Sequence, residues 1–207
     1  MHVWLVRHGH CSSNSPDSDL TPLGELQAYQ TAQRLADSGE SFTILSSPLV
    51  RALGTASILA EMLDTDVEVW PDLREGFSWT HHAYSRQELL QRFPRALLPV
   101  GFAVDGWEHG NDTYESMVLR CQHTLHQLRE RFGVDDQIIV VTHGGFANYL
   151  LHCIAQIPSM MSSWFEMDYC AISRVYFVPE HEREYWPLYP AVEVKILYLN
   201  DCSHLSP

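Results

Sequence analysis

The chain has 207 residues, of which 45% are hydrophobic and 11% aromatic, so it can bury the core of one domain. Its formal net charge of −13 at pH 7 argues against a nucleic acid or an anionic membrane surface as a partner. The basic residues are 12 Arg and the single Lys195, so we expect any anion-binding site to be built from Arg and His side chains.

Strands and helices are predicted to alternate through the first 70 residues. Three apolar strands are predicted at 2–7, 42–46 and 66–70. Two helices are predicted between them, at about 22–37 and 48–63. Thr21-Pro22 is typical of a helix N-cap followed by the first helical residue, and Ser47-Pro48 repeats this signal before the second helix.

The remaining segments complete an α/β pattern. Residues 71–110 are irregular and rich in Pro, Gly, His and Trp, with a helix predicted near 85–93. Further elements are predicted as a helix at about 113–132, a buried strand at 137–142, a helix after it, and strands near 171–178 and 191–199. We expect one three-layer α/β/α domain over residues 1–207 with a largely parallel central sheet, over which 71–110 lies as an insertion.

The sequence predicts neither a membrane segment nor a secretory leader. No apolar stretch approaches the roughly 20 residues of a membrane-spanning helix. Residues 1–6 are too short for a signal peptide. The five cysteines show no Cys-x-x-Cys spacing, which favours reduced thiols. We therefore expect a cytoplasmic protein without a membrane partner.

Two of the predicted strands end on a histidine. Strand 2–7 is followed by His8 and a glycine, and strand 137–142 is followed by His143 and two glycines. Because ligands bind at the carboxyl ends of parallel strands, we expect both histidines to face one crevice. The alternatives are an ordinary surface loop at the first junction and a helix-capping histidine at the second.

Two arginines are predicted to join these histidines. Arg7 is the last residue of the first strand, and Arg51 lies in the first turn of the helix that follows strand 42–46. Two guanidinium groups, two imidazoles and the backbone N–H groups of a helix that begins at Gly144 suit a tetrahedral phosphate. The sequence therefore predicts a phosphate site at this edge of the sheet.

An ordered series of short motifs accompanies these residues along nearly the whole chain. They are Arg7-His8-Gly9 with Asn14, Asp19 to Gly24 with Gln27-Ala28, Ser46-Ser47-Pro48 with Arg51-Ala52 and Thr55-Ala56, Leu73-Arg74-Glu75, Glu115-Ser116 before Arg120, Val141 to Gly145, and Leu199 to Leu205. In this order and spacing the chain resembles the histidine phosphatase superfamily, in its phosphoglycerate-mutase-like branch. The resemblance implies the fold of that family.

The resemblance also implies how the phosphate site works. His8 would be the nucleophile, which takes the phosphoryl group as a phosphohistidine that water then hydrolyses. The ligands of the phosphate oxygens would be Arg7, Arg51, His143, Asn14 and the backbone at Gly144.

Glu75 matches the family's proton donor to the leaving alcohol, and in hydrolysis it could activate water. The alternative is an ordinary exposed loop carboxylate. Residues 76–80 depart from the family's pattern and are one residue short, so Asp72 and Glu115 remain reserve candidates for the acid.

Other positions also depart from the family's pattern. Members commonly carry Glu or Gln and then Thr or Ser after Arg-His-Gly, where this chain has His10 and Cys11. The Cys11 thiol would replace a hydroxyl at the phosphate, and it is a weaker donor that can be oxidised. Mutases commonly carry Trp where this chain has Ser13, and they use extra length to enclose a bisphosphate. Both differences favour a phosphatase.

The resulting prediction is a phosphomonoester hydrolase that acts on a small phosphorylated metabolite. A mutase-type phosphotransferase and a non-catalytic phosphate-binding or regulatory protein remain the alternatives, and a homodimer remains open. We expect no cofactor and no metal, because the family needs none and no clean ligand set accompanies the 12 histidines. The aromatic residues of 71–110 would form a lid that sets specificity, or would simply pack.

Overall fold

A computed structural model describes residues 1–12, 17–157, 163–184, 187 and 190–205. The strands in these ranges are β1 (His2–Arg7), β2 (Phe42–Ser46), β3 (Val67–Val69), β4 (His81–Ala83), β5 (Ala96–Leu97), β6 (Trp107–His109), β7 (Gln137–Thr142), β8 (Ile172–Phe177) and β9 (Val194–Asp201). The α-helices are α1 (Pro22–Ala36), α2 (Val50–Met62), α3 (Arg86–Arg92), α4 (Tyr114–Arg131) and α5 (Gly144–Ile154).

Seven strands form the central sheet, in the order β5-β3-β2-β7-β1-β8-β9. The neighbours from β5 to β1 pair in parallel, whereas β8 is antiparallel to both β1 and β9. The expected largely parallel sheet is therefore confirmed. The carboxyl ends of β1, β2 and β7 lie side by side at one edge, and the site is built there.

The two faces of the sheet carry separate hydrophobic cores, because alternate side chains of a strand point to opposite faces. On one face Val6 and Val141 pack with apolar residues of α1 and α2. On the other face Leu5 and Val140 pack with apolar residues of α4 and α5. Helices thus cover both faces, which gives the expected three-layer α/β/α arrangement. No helix in the described ranges is long and apolar enough to cross a bilayer.

The two predicted helix caps have different outcomes. Thr21 is the N-cap of α1, where its hydroxyl accepts the N–H of Gly24 and Pro22 is the first helical residue, so that prediction is confirmed. The cap predicted at Ser47 is wrong, because α2 begins at Val50 after Leu49, which makes no side-chain cap. The Ser47 side chain contacts a site histidine instead.

Residues 71–110 do not lie over the sheet solely as an insertion. Ala96 and Leu97 form β5, which extends the main sheet beyond β3. This part of the expectation is wrong because a two-residue edge strand leaves no periodic pattern in the sequence. The segment also forms a separate two-stranded ribbon from β4 and β6, which we call the lid ribbon.

The loop after β1 is held tightly against the first turn of α1. A Cβ atom added at Gly24 would lie 2.0 Å from the His10 carbonyl oxygen, and one added at Gly9 would lie 2.5 Å from the Gly24 carbonyl oxygen. The backbone N–H of His10 also donates to the side chain of Gln27 at 2.9 Å. Backbone contacts at this range require glycine at both positions, and they fix the chain direction just after His8.

The variant Gly24→Ala tests this contact. Because the clash is with backbone, the loop must shift, and we expect the free energy of unfolding to fall by about 1–3 kcal/mol, as for other overpacked sites. Urea unfolding measures the change. The control is Gly133→Ala, whose Cβ would make an ordinary contact of 3.7 Å with Asp136. Equal stability of the two variants would contradict the close approach.

Candidate active site

The two histidines predicted from the strand ends are neighbours. The pairing of β1 with β7 continues one residue further, where the backbone N–H of His8 donates to the carbonyl oxygen of Thr142 at 2.9 Å. The ring centroids of His8 and His143 are 5.0 Å apart. Both side chains are buried, with exposed fractions of 5% and 0%.

Arg51 and the backbone set the tautomer of His8. Arg51 Nε, which always carries a proton, donates to His8 Nε2 at 3.1 Å, so Nε2 holds a lone pair. The ring proton is then on Nδ1, which donates to the carbonyl oxygen of Gly9 at 2.8 Å. Burial, with the Arg51 guanidinium next to it, lowers the pKa of His8 to about 3. His8 is therefore a neutral imidazole whose Nε2 lone pair faces Arg51.

His143 is neutral for the same reasons. Burial, followed by the charge of Arg51, holds the pKa of His143 well below its ordinary value. Its Nε2 atom lies 2.8 Å from the Ser47 hydroxyl, which itself accepts the N–H of Leu49 at 3.2 Å. Its Nδ1 atom is buried and has no hydrogen-bond partner among the described residues.

Arg7 is held from two sides. Its Nη1 atom donates to the carbonyl oxygen of Met167 at 2.6 Å, and its guanidinium lies 3.9 Å from the centre of the Tyr169 ring. Its Nε atom is buried and unpartnered within the described part of the chain. A Cβ added at Gly144 would lie 3.5 Å from this Nε atom, which places the guanidinium beside the start of α5.

Arg51 reaches the site from the first turn of α2. It is 6% exposed, and burial lowers the pKa of its guanidinium. Asp17 approaches the same turn, where its carboxylate accepts the N–H of Val50 at 2.6 Å. Burial raises the pKa of Asp17 to about 6. A fraction of this carboxyl is therefore protonated near neutral pH, and it balances less of the Arg51 charge.

The electrostatics of the site favour an anion over a cation. Two guanidinium groups lie beside two uncharged imidazoles, and two of the inward-facing nitrogens are buried without partners in the described ranges. A bound oxyanion would satisfy these donors and balance the arginine charge. Nowhere in the described residues do three or more His, Cys, Asp or Glu side chains form a group that could hold a metal ion.

Glu75 lies at the N-terminus of α5. Its carboxylate accepts the backbone N–H groups of Gly145 at 3.1 Å and Phe146 at 3.0 Å, and also that of Gly76 at 3.0 Å. A Cβ at position 145 would lie 2.6 Å from Glu75 Oε1, so only glycine there leaves room for this carboxylate. Glu75 thus occupies the Gly145 N–H, and the backbone at Gly144 stays a predicted phosphate ligand.

A buried ion cluster holds the segment that carries Glu75. Arg120 donates to the carbonyl oxygens of Asp72 and Arg74, on either side of Leu73. Asp112 accepts from both guanidinium groups, at 3.1 Å from Arg74 and 3.3 Å from Arg120. Asp112 also accepts the N–H of Phe77 at 3.1 Å, so it ties down the chain beyond Glu75.

The other predicted site residues are placed less centrally. Cys11 is half-buried and pairs through its backbone with Leu20. Asn14 lies outside the described residues. Asp72 lies 2.7 Å from His123 through its carboxylate, and Glu115 is exposed in the first turn of α4. Of the three carboxylates considered for the acid, Glu75 is the one at the start of α5.

Several residues of the site were not predicted from the sequence. Tyr169 stacks under Arg7 and lies 5.6 Å from the His8 ring, but it belongs to a loop with no recognisable pattern. Ser47 resembles a helix cap in the sequence. However, it follows β2 directly, as His8 follows β1 and His143 follows β7, and this position could have identified it as a site residue. Asp112 gives no local signal, because it lies in an irregular segment and one of its arginine partners, Arg74, is 38 residues away in the sequence.

Comparison with known proteins identifies the family. The profile of the histidine phosphatase superfamily (branch 1) matches residues 3–185. A probable phosphoglycerate mutase, GpmB, of Erwinia tasmaniensis is 30% identical over 199 residues, which cover 90% of this chain and 87% of that protein. GpmB of Escherichia coli (strain K12 / DH10B) is 30% identical over 185 residues, 84% of each chain. The chain belongs to the histidine phosphatase superfamily.

Solved structures share the fold. Phosphoserine phosphatase of Entamoeba histolytica, in complex with 3-phosphoglyceric acid, gives a TM-score of 0.68 at 22% identity and covers 99% of both chains. A mycobacterial glucosyl-3-phosphoglycerate phosphatase in complex with VO3 gives 0.66 at 20% identity, over 96% of this chain and 98% of that one. The relatives named as probable mutases match this chain over 84–87% of their own length. The absence of extra length in this chain therefore no longer favours a phosphatase over a mutase.

The ion cluster can be tested with Asp112→Asn. The substitution leaves two buried guanidinium groups without a counter-charge, and we expect the free energy of unfolding to fall by about 3–5 kcal/mol. The control is Asp64→Asn. The Asp64 side chain pairs with Arg95 but is 91% exposed. The free energy of unfolding in urea should therefore change little. If Asp112→Asn were as stable as this control, the cluster would not hold the Glu75 segment.

Proposed function

We propose that this member of the histidine phosphatase superfamily hydrolyses small phosphomonoesters through a phosphohistidine on His8. The observation that carries the proposal is the state of His8, a buried neutral imidazole whose Nε2 lone pair faces Arg51. A neutral imidazole can attack phosphorus without first losing a proton. The unpartnered nitrogens of Arg7 and His143 beside it support phosphate as the group that is attacked.

In the first step His8 Nε2 forms a bond to phosphorus while the bond between phosphorus and the alcohol oxygen breaks. The Arg51 N–H must leave Nε2 and turn to a phosphate oxygen, so substrate binding releases the nucleophile. The proton stays on His8 Nδ1, which keeps donating to the Gly9 carbonyl oxygen, and this oxygen stabilises the positive charge that develops on the ring. In the second step water attacks phosphorus, the bond to Nε2 breaks, and inorganic phosphate leaves.

Arg7, Arg51 and His143 would hold the three non-bridging oxygens, which carry the charge of the transition state. The Ser47 hydroxyl can donate to His143 Nε2, because its oxygen already accepts from Leu49. The His143 proton would then be on Nδ1, the unpartnered atom, where it can donate to phosphate. We propose supporting phosphate contacts from Asn14, Cys11 and the backbone N–H of Gly144.

Glu75 would protonate the leaving alcohol and then take a proton from the attacking water. It lines a cavity of about 430 Å³ with Phe77 and Tyr149, through which it can exchange protons with water. Its carboxylate accepts three backbone N–H groups, which hold it at the start of α5.

A mutase remains the second candidate, because relatives at 30% identity are named probable phosphoglycerate mutase. A mutase returns the phosphoryl group to substrate, so it must keep water away from the phosphohistidine. Incubation with 3-phosphoglycerate separates the two activities. A hydrolase releases inorganic phosphate, and a mutase forms 2-phosphoglycerate when primed with the bisphosphate.

We further propose that the substrate is a small metabolite and that neither nucleic acid nor membrane is a partner, given the net charge of −13. The five cysteines are unpaired, which supports a cytoplasmic location. A non-catalytic phosphate-binding role is less well supported, because the nucleophile and the phosphate ligands are all present.

The proposal predicts hydrolysis without added metal. The purified protein should release phosphate from p-nitrophenyl phosphate at a rate that EDTA does not change, because in the proposed mechanism the Arg7 and Arg51 guanidinium groups neutralise the phosphate charge. His8→Ala should abolish turnover, since no phosphohistidine can form. A strict requirement for Mg²⁺ or Zn²⁺, or turnover by His8→Ala, would contradict the mechanism.

The role of Glu75 predicts a dependence on the leaving group. Glu75→Gln should lower kcat/KM by about 10²–10⁴-fold for an alkyl phosphate, the usual contribution of a general acid, and much less for p-nitrophenyl phosphate. Gly145→Ala should give the same pattern, because its Cβ would displace the carboxylate. Equal small losses on both substrates would remove Glu75 from this role and bring Asp72 or Glu115 forward.

A further inference from the structure

The cavity of about 430 Å³ that borders Glu75 has aromatic walls. Phe77 lines it from the segment that follows Glu75, and Tyr114 and Tyr149 line it from α4 and α5. The ring centroids of the two tyrosines are 5.7 Å apart, and their planes are tilted by 50°. No Arg, Lys or His side chain of the described residues lines this cavity. The cavity therefore combines aromatic faces with a carboxylate and offers no positive charge.

The cavity meets the phosphate site at the start of α5. A Cβ added at Gly145 would lie 2.6 Å from Glu75 Oε1. A Cβ added at the preceding residue, Gly144, would lie 3.5 Å from Arg7 Nε. Because the Cα atoms of consecutive residues are about 3.8 Å apart, the acid and a phosphate ligand lie beside the same helix turn. With phosphate at Arg7, the leaving alcohol can therefore extend past Glu75 and between the aromatic rings.

The negative charge of the cavity comes from carboxylates. Glu75 accepts three backbone N–H groups and forms no ion pair within the described part of the chain. Asp112 is the other acidic residue of the lining, and it is paired with Arg74 and Arg120, which lie outside the lining. The charge of Asp112 is thus balanced, whereas the charge of Glu75 has no partner of opposite sign in those ranges.

The groups around the tyrosines also favour a cation over an anion. Burial raises the pKa of Tyr149, and smaller contributions in the same direction come from Tyr114, Cys121, Glu115 and Glu75. The two carboxylates among these groups would repel a second anionic group in the leaving alcohol. An ammonium group, in contrast, is attracted both to carboxylates and to the faces of aromatic rings.

We propose that this cavity binds an ammonium group of the leaving alcohol, with Tyr114, Tyr149 and Phe77 as the residues that determine specificity. The substrate class is then the phosphomonoesters of amino alcohols. A phosphorylated hydroxy acid would bring its carboxylate toward Glu75 and would be a poorer substrate. The inference rests on the proposed function, since it names the substrate class of the same site.

Two phosphomonoesters of the same shape provide the test. Phosphocholine carries a quaternary nitrogen where 3,3-dimethylbutyl phosphate carries an uncharged carbon. We expect kcat/KM for phosphocholine to be about 3- to 30-fold higher, the range of a cation–π contact. A ratio near 1 in the unaltered protein would overturn the proposal. A higher kcat/KM for 3-phosphoglycerate than for phosphocholine would overturn it as well.

Tyr149→Leu removes one ring of the cavity. The ratio of kcat/KM for phosphocholine to that for the neutral ester should then fall toward 1. Tyr149→Phe keeps the ring and should keep the original ratio, as should Tyr29→Leu, which removes an exposed tyrosine of α1. Tyr114→Leu removes the other ring and provides a second variant if Tyr149→Leu impairs folding. Equal losses on both esters in the leucine variants of the cavity would mean that these tyrosines only pack.

Calorimetry separates failure of this inference from failure of the proposed function. Hydrolysis of both esters with equal kcat/KM rejects the inference and leaves the proposed function in place. If no phosphomonoester is hydrolysed, the proposed function fails, but binding of the two esters can still be compared. Tighter binding of phosphocholine that Tyr149→Leu removes and Tyr29→Leu retains would support the ammonium site. Equal binding of both esters to the unaltered protein would reject it.

Discussion

The parallel register of β1 with β7 is the constraint on which the site depends. Arg7 pairs with Thr142, so the next residue of each strand is a histidine, and the two rings meet at 5.0 Å. A slip of one residue would turn every side chain of β1 to the opposite face of the sheet. The alternation of Val3 and Leu5 with Trp4 and Val6 between two cores forbids that slip. Core packing therefore fixes the position of His8 relative to His143.

Burial then determines the charge state of the site. Water is excluded from His8 and His143, and two guanidinium groups are adjacent, so both imidazoles remain uncharged. The positive charge of the site is carried by arginine, which keeps its proton even when burial lowers its pKa. A lysine in place of Arg51 could lose its proton in this environment. The sole lysine of the chain, Lys195, lies on β9 away from these residues.

Local sequence patterns predict a well-defined part of the fold and of the site. Apolar runs identify β1, β2 and β7, and the rule that ligands bind at the carboxyl ends of parallel strands predicts that His8, Arg51 and His143 converge. Tyr169 could not be predicted, because only the return of the chain from α5 to β8 brings it under Arg7. Asp112 was not predicted because it lies in an irregular segment and its partner Arg74 is 38 residues away in the sequence.

The lid ribbon was not predicted, because each of its two strands is three residues long and therefore too short for a periodic signal. The two strands are also separated by more than twenty residues of sequence. The position of Glu75 at the start of α5 was equally unpredictable, although the glycine at 145 that admits it was one of the motif residues. Contacts at the candidate site were thus not predicted where the two partners lie far apart in the sequence and the local segment is irregular.

The position of Glu75 limits what the start of α5 can offer to an anion. Its carboxylate already accepts the N–H groups of Gly145 and Phe146, which leaves the N–H of Gly144. In the proposed mechanism the phosphate is therefore held mainly by the side chains of Arg7, Arg51 and His143, which come from strand ends and α2. Glu75, in contrast, belongs to one stretch from Arg74 to Asp112 that the ion cluster closes. In the proposed mechanism, changes within this stretch would alter the leaving group that is accepted without disturbing the arginines at the phosphate.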